Sequence, residues 1–135
     1  MINVYLIGNG YVCDHITSLG STKYKYIGVC RSQKNNCHKN IQADILKDTS
    51  KLKGLINEDS FVVYLAPPQQ NGAADQVINN FLKYIQRREH IKKFIYISTS
   101  GVYGDKNDKE VDENSSLQPL TDRAKRRVNA EKQVK

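Results

Sequence analysis

The chain has 135 residues, a net charge of +7, and 39% hydrophobic against 26% charged residues. That is the size and balance of one globular domain, and it excludes collagen-like, low-complexity and disordered classes. No apolar run approaches the ~18 residues of a membrane span, and the start, Met1-Ile2-Asn3-Val4, lacks the basic region of a signal peptide.

The pattern along the chain alternates strand and helix. Residues 2–7 are a short apolar run ending at Gly8 and read as a buried strand. Val12, Ile16 and Leu19 follow at helical spacing, with Gly20 as the stop. Residues 24–30 form a second strand, 32–40 a polar loop, and 41–45 a short third strand. Asp48, Thr49 and Ser50 offer caps for a helix through Leu52, Leu55 and Ile56. Residues 60–65, rich in β-branched and aromatic side chains, are the fourth strand. Ala74, Val77, Ile78, Phe81, Leu82 and Ile85 then fall on one face of a helix. Residues 93–98 make a fifth strand, 101–114 a loop, and a last helix starts near Pro119. Such alternation predicts a doubly wound parallel α/β sheet with helices on both faces, and right-handed crossovers give strand order 3-2-1-4-5.

Charge and cysteines narrow the partners. Lysine outnumbers arginine 15 to 6, and the basic residues fall in two clusters. One is Lys83, Arg87, Arg88, Lys92 and Lys93; the other is Arg123, Lys125, Arg126 and Arg127. Each lies on or beside a helix without a recognition motif, so solvated faces are expected and a nucleic-acid partner is not. Cys13, Cys30 and Cys37 include no C-x-x-C pair, so neither a zinc site nor a disulfide framework is implied. Three free thiols suit a reducing cytoplasm.

Gly8-Asn9-Gly10-Tyr11-Val12-Cys13 joins the first strand to the first helix. This is the G-x-G-x-x turn of dinucleotide sites, with Cys13 at the third glycine. The first glycine permits the turn and the second admits a pyrophosphate. The helix N-terminus then offers free N–H groups to the phosphates. At the end of the second strand stand Cys30, Arg31 and Ser32, with no carboxylate to bond a ribose 2′-hydroxyl. Arg31 therefore favours NADP over NAD.

The most specific string runs from Phe94 to Asp105: Phe-Ile-Tyr-Ile-Ser-Thr-Ser-Gly-Val-Tyr-Gly-Asp. It resembles the fifth strand and following loop of the NAD-dependent epimerase/dehydratase family, the extended and atypical short-chain dehydrogenase/reductases. The glycine turn, Asp44-Ile45, Leu65-Ala66-Pro67-Pro68, and Val111-Asp112-Glu113 with Pro119 match that family in order. The resemblance implies a Rossmann-type NAD(P)-binding domain over residues 1–135. It places Gly8, Asn9, Gly10, Tyr11, Val12, Arg31, Asp44, Leu65, Ala66, Pro67 and Ser98 at the cofactor, and Thr99 at the substrate.

The departure from the family lies in the last helix. A family Tyr-x-x-x-Lys dyad, anchored here on Ala130-Glu131, falls on Arg123 and Arg127, and no tyrosine follows Tyr103. Arginine is not a proton donor near neutral pH. Two readings remain: an oxidoreductase or nucleotide-sugar epimerase, and a dinucleotide-binding module without turnover, whether sensor, scaffold or inactive remnant. The length matches the cofactor half of the family. Strand 93–98 is then an open sheet edge, which folded proteins usually cover. A second copy is expected there or along the last helices.

Overall fold

The structure is a computed structural model that describes residues 1–85 and 88–135, with Arg88 in its backbone only. Arg87 of the first basic cluster lies outside the described residues. Five strands form one parallel sheet: β1 (Ile2–Ile7), β2 (Tyr24–Cys30), β3 (Lys39–Gln42), β4 (Ser60–Tyr64) and β5 (Ile91–Tyr96). Their order is β3-β2-β1-β4-β5, as the crossover argument requires.

Period-two alternation sends the two sides of each strand into separate cores. Tyr5, Ile7, Ile27, Val29, Val62 and Tyr64 face one side. There they meet Val77, Ile78 and Phe81 of helix α2 (Gln76–Tyr84) and Ala130 of helix α3 (Asp122–Val134). Val4, Leu6 and Tyr26 face the other side and pack on Cys13 and Ile16 of helix α1 (Tyr11–Ser18). Helices therefore cover both faces.

Several boundaries differ from those the sequence predicts. The third strand is Lys39–Gln42 rather than 41–45, because its pairing with Ile27–Cys30 begins at Lys39. The helix predicted from Asp48 to Ile56 is a single 3-10 turn, Ser50–Leu52. The chain bends at Gly54, where φ is +67°. Leu52 and Ile56 are buried all the same, so the apolar spacing reported burial and not helix. The fifth strand is Ile91–Tyr96 rather than 93–98, and Lys92 and Lys93 are exposed on it. The last helix starts at Asp122, where the Thr121 side chain accepts a hydrogen bond from the Ala124 N–H at 3.1 Å.

Helix α3 docks by polar contacts as well as by its buried Ala124, Val128 and Ala130. Arg126 donates to the Gly72 carbonyl and Asn129 Oδ1 accepts from the Asp75 N–H at 2.9 Å. Gln133 Nε2 donates to Asn129 at 2.6 Å. The chain just before α2 thus supplies backbone partners to one face of α3.

Candidate functional site

The carboxyl ends of β1 and β4 meet where strand order reverses, the position at which open parallel sheets bind ligands. Gly8 sits there with φ +92°. A Cβ on it would fall 2.8 Å from the Leu65 carbonyl carbon and closer still to Ala66 N and Cα. The turn is therefore held by close backbone approach between β1 and β4. Leu65 N–H donates to the Ile7 carbonyl at 2.7 Å, which fixes the Leu65-Ala66-Pro67 segment beside the turn.

Gly10 is different. It caps α1 with no side-chain hydrogen bond, and a Cβ on it would meet only the Gly8 carbonyl oxygen, at 3.9 Å. Space lies open in front of the first turn of α1. Tyr11 and Val12 are exposed beside it. Cys13 is fully buried and its Sγ lies 3.6 Å from the Gly8 carbonyl oxygen, so this small thiol fills the third glycine's packing position. Burial pushes its pKa up to about 11. The open turn, the uncapped helix start and the Gly10 backbone fit a dinucleotide pyrophosphate.

Asn9 plays another part. It is 2% exposed, and its amide is exchanged with that of Asn36 at 2.7 and 2.8 Å. Its Nδ2 also reaches Asn40 Oδ1 at 3.1 Å. Gly28 makes room for it: a Cβ there would lie 3.0 Å from Asn9 Cγ and 2.9 Å from Cys37 Sγ. Asn9 thus braces the loop after β2 against the glycine turn. Lys34 and Asn36, both bonded to Asp14 in the first turn of α1, complete the brace. Asn36 and Asn40 carry no family signal in the sequence, and only the fold brings them to the turn.

A cleft of about 350 Å³ opens between β3 and the loop that follows β2, lined by Ser32, Lys34, Cys37, Lys39 and neighbouring residues. Its lining includes no carboxylate. Arg31 is exposed beside it, and its carbonyl accepts from Gln42 at 3.0 Å. Asp44 lies past the end of β3, where its Oδ1 accepts from the Leu46 N–H at 3.0 Å and the Lys47 N–H at 3.3 Å.

Thr99 and Ser98 follow β5. Thr99 is exposed and caps the 3-10 turn Ser100–Tyr103, its Oγ1 accepting from the Gly101 N–H. Ser98 turns toward α3 and donates to Glu131. Arg123 is exposed, whereas Arg127 reaches the sheet, donating to the Tyr96 hydroxyl at 3.1 Å and to the Ile97 carbonyl at 3.4 Å. The two residues at the dyad positions therefore diverge. Among the described residues, no three His, Cys, Asp or Glu side chains gather as metal ligands, and no helix is long and apolar enough to cross a membrane.

Several solved structures share this fold. UDP-glucuronic acid 4-epimerase from Bacillus cereus, solved with NAD, superposes with a TM-score of 0.76 at 24% identity, over 97% of this chain and 50% of that one. UDP-N-acetylglucosamine 4-epimerase from Bacillus cereus gives 0.76 at 16%, over 98% and 51%. UDP-glucose 4-epimerase from Brucella ovis, also with NAD, gives 0.77 at 16%, over 98% and 46%. At these identities the likeness is one of fold, and the chain spans about half the length of those structures. Among curated proteins nothing matches the chain. The sequence model of the NAD dependent epimerase/dehydratase family matches residues 6–134, and the chain belongs to that family.

Proposed function

We propose that this chain is a dinucleotide-binding module, with the pyrophosphate over the glycine turn and NADP preferred to NAD. The open space at Gly10, before an uncapped helix start, carries the reading. The NADP preference rests on Arg31, on Lys34 and Lys39 at the cleft, and on a lining without carboxylates. A bound dinucleotide supplies nicotinamide redox chemistry. The residues of this chain supply its seat: Gly8 and Gly10 the turn, Leu65, Ala66 and Pro67 the wall, and Asp44 the far end. Asn9 holds the turn in place through its inward amide. The setting is a reducing cytoplasm, in keeping with three free thiols.

A second reading, turnover on a nucleotide-sugar, is favoured by the similar structures, which are nucleotide-sugar 4-epimerases. In it Thr99 holds a substrate hydroxyl. Arg127, engaged with Tyr96 and the Ile97 carbonyl, leaves that reading without a proton donor at the dyad. Among the described residues β5 has no outer neighbour, Ile95 on it and Ile97 just past it are exposed, and a second copy is the proposed cover.

Thermal unfolding with NADP, NAD and no ligand tests the first reading. A ligand at ~100 times its dissociation constant adds ~2.7 kcal/mol. No shift with either nucleotide overturns it, and a larger shift with NAD overturns the NADP preference. Epimerisation of sugar-nucleotides in the presence of NAD(P), which consumes no net cofactor, and oxidation of NADPH by small carbonyls test the second, and turnover unchanged in Thr99→Ala removes Thr99 from it. Sedimentation of the native chain against Ile95→Lys tests the second copy; a native monomer at high concentration refutes it.

A further inference from the structure

Two of the three free thiols, Cys30 and Cys37, line one cleft, the opening of about 350 Å³ between β3 and the loop that follows β2. Both are half-buried, whereas Cys13 is fully buried. The strand sets the pair side by side. Side chains alternate along a strand, so positions 28 and 30 of β2 face the same side of the sheet, the side on which Tyr24 and Tyr26 pack. Gly28 has no side chain, and Cys37 Sγ fills the space this leaves, 2.9 Å from where a Gly28 Cβ would stand. Cys30 holds the next position on that side, about 6.6 Å along at the usual strand rise. Cys37 thus lies one step along the strand from Cys30. Neither thiol is firmly fixed. Cys30 Sγ donates to the Ser32 carbonyl at 2.9 Å and Cys37 Sγ accepts from Asn9 Nδ2 at 3.6 Å, and sulfur is a weak partner in both roles. Residues 31–38 belong to no helix or strand, so this segment can shift without unpairing the sheet.

The charge of the cleft selects the reagent. Lys34 and Lys39 line it, Arg31 stands beside it, and its lining includes no carboxylate. Such a wall attracts an anionic small disulfide. We propose that Cys30 and Cys37 are a reversible dithiol–disulfide pair, oxidised in this cleft by a disulfide of the glutathione class. Cys30 gives up its proton, and its thiolate attacks one sulfur of the reagent. The reagent's S–S bond breaks, and one glutathione leaves as thiolate. Cys37 gives up its proton and attacks Cys30 Sγ, which forms the Cys30–Cys37 bond and expels the second glutathione thiolate. The chain loses two hydrogens and two electrons, and one disulfide becomes two thiols. Cys37 packs against the second core and burial pushes its thiol up, so Cys30 attacks first. Closing the bond draws the 31–38 loop over the cleft.

Intact mass and tryptic mapping of the native chain, reduced and then exposed to glutathione disulfide, test the pair. Trypsin cuts after Arg31 and Lys34, so the two cysteines fall on separate peptides unless a disulfide joins them. The expected product is a chain lighter by two hydrogens, with a Cys30–Cys37 linked peptide, Cys13 free, and reversal by reduced glutathione. Stable glutathione adducts on both cysteines, a bond to Cys13, or thiols that stay free overturn the proposal. Cys37→Ser is expected to stop at one glutathione on Cys30, and an unmodified Cys30 there overturns its role as the first nucleophile. These readouts use no nucleotide, so they stand or fall apart from the dinucleotide reading. One consequence rests on that reading: the linked chain is expected to bind NADP at least tenfold more weakly than the reduced chain, and equal binding overturns the closing of the cleft.

Discussion

Alanine at Gly8 or at Gly10 adds one methyl group to the same turn, with opposite expected outcomes. At Gly8 the new Cβ meets the Leu65 carbonyl carbon at 2.8 Å, with Ala66 backbone atoms nearer, and φ is +92°. Those neighbours are main chain of the adjoining strand end and do not rotate away. Forced backbone conformation costs about 1–3 kcal/mol and overpacking about 1–3 kcal/mol more, together about 2–6 kcal/mol. At roughly 3–5 °C of Tm per kcal/mol for a domain this size, Gly8→Ala falls by roughly 6–30 °C. Gly10 has φ −112° and ψ −154°, extended backbone that alanine adopts, and its Cβ makes an ordinary 3.9 Å contact. Its stability is expected to change by less than ~1 kcal/mol. The methyl group occupies the approach of the pyrophosphate, however. If it weakens NADP tenfold or more, then ligand that stabilises the native chain by ~2.7 kcal/mol stabilises the variant by ~1.4 kcal/mol or less. Thermal unfolding of both variants, with and without NADP, reads both effects. A full NADP shift in Gly10→Ala places the pyrophosphate elsewhere. An unchanged Tm in Gly8→Ala refutes the close approach of β1 to β4.

Other expectations follow from single residues. Thr121→Ala removes the side-chain cap of α3 and is expected to cost about 1 kcal/mol, measured as a lower urea midpoint without a change in slope. Burial raises the pKa of Asp75, against hydrogen bonds from Ile78 and Val77 N–H and the charges of Arg127 and Arg126. The folded state then binds its proton more tightly than the unfolded state. Stability therefore falls as pH rises from the unfolded pKa through the raised folded one. Asp75→Asn is expected to flatten that limb, and parallel pH profiles would contradict the burial penalty. Cys13, with its thiol pushed up to about 11 and no exposure, is expected to react with a thiol reagent only as fast as the protein opens. Rapid labelling of Cys13 in the native chain would refute its packing as the third turn residue.

Local patterns determined much of this protein. Apolar runs mark β1, β2 and β4, the first ended by Gly8 and the last by Pro67, because parallel strands buried on both faces are near-continuously apolar. The helical spacing from Val77 to Ile85 marked α2, and crossover handedness then ordered the sheet. Gly8 and Gly10 were legible because a backbone requirement leaves a residue-type signature. Weaker signals failed where one spacing serves two structures: Leu52, Leu55 and Ile56 are spaced as in a helix, yet pack from a bent segment.

Only the tertiary structure decided the roles that depend on distant pairs. Asn9 sits in the glycine turn, but its side chain belongs to Asn36 and Asn40, some thirty residues away. Arg127 occupies a dyad position, but the sheet turns it to Tyr96. Helix α3 buries Ala124, Val128 and Ala130, and hydrogen bonds to the chain before α2 fix where those small residues sit. Hydrophobic burial needs only a pattern along one segment. A hydrogen bond needs two groups at a set distance, and that distance exists only once the chain has folded.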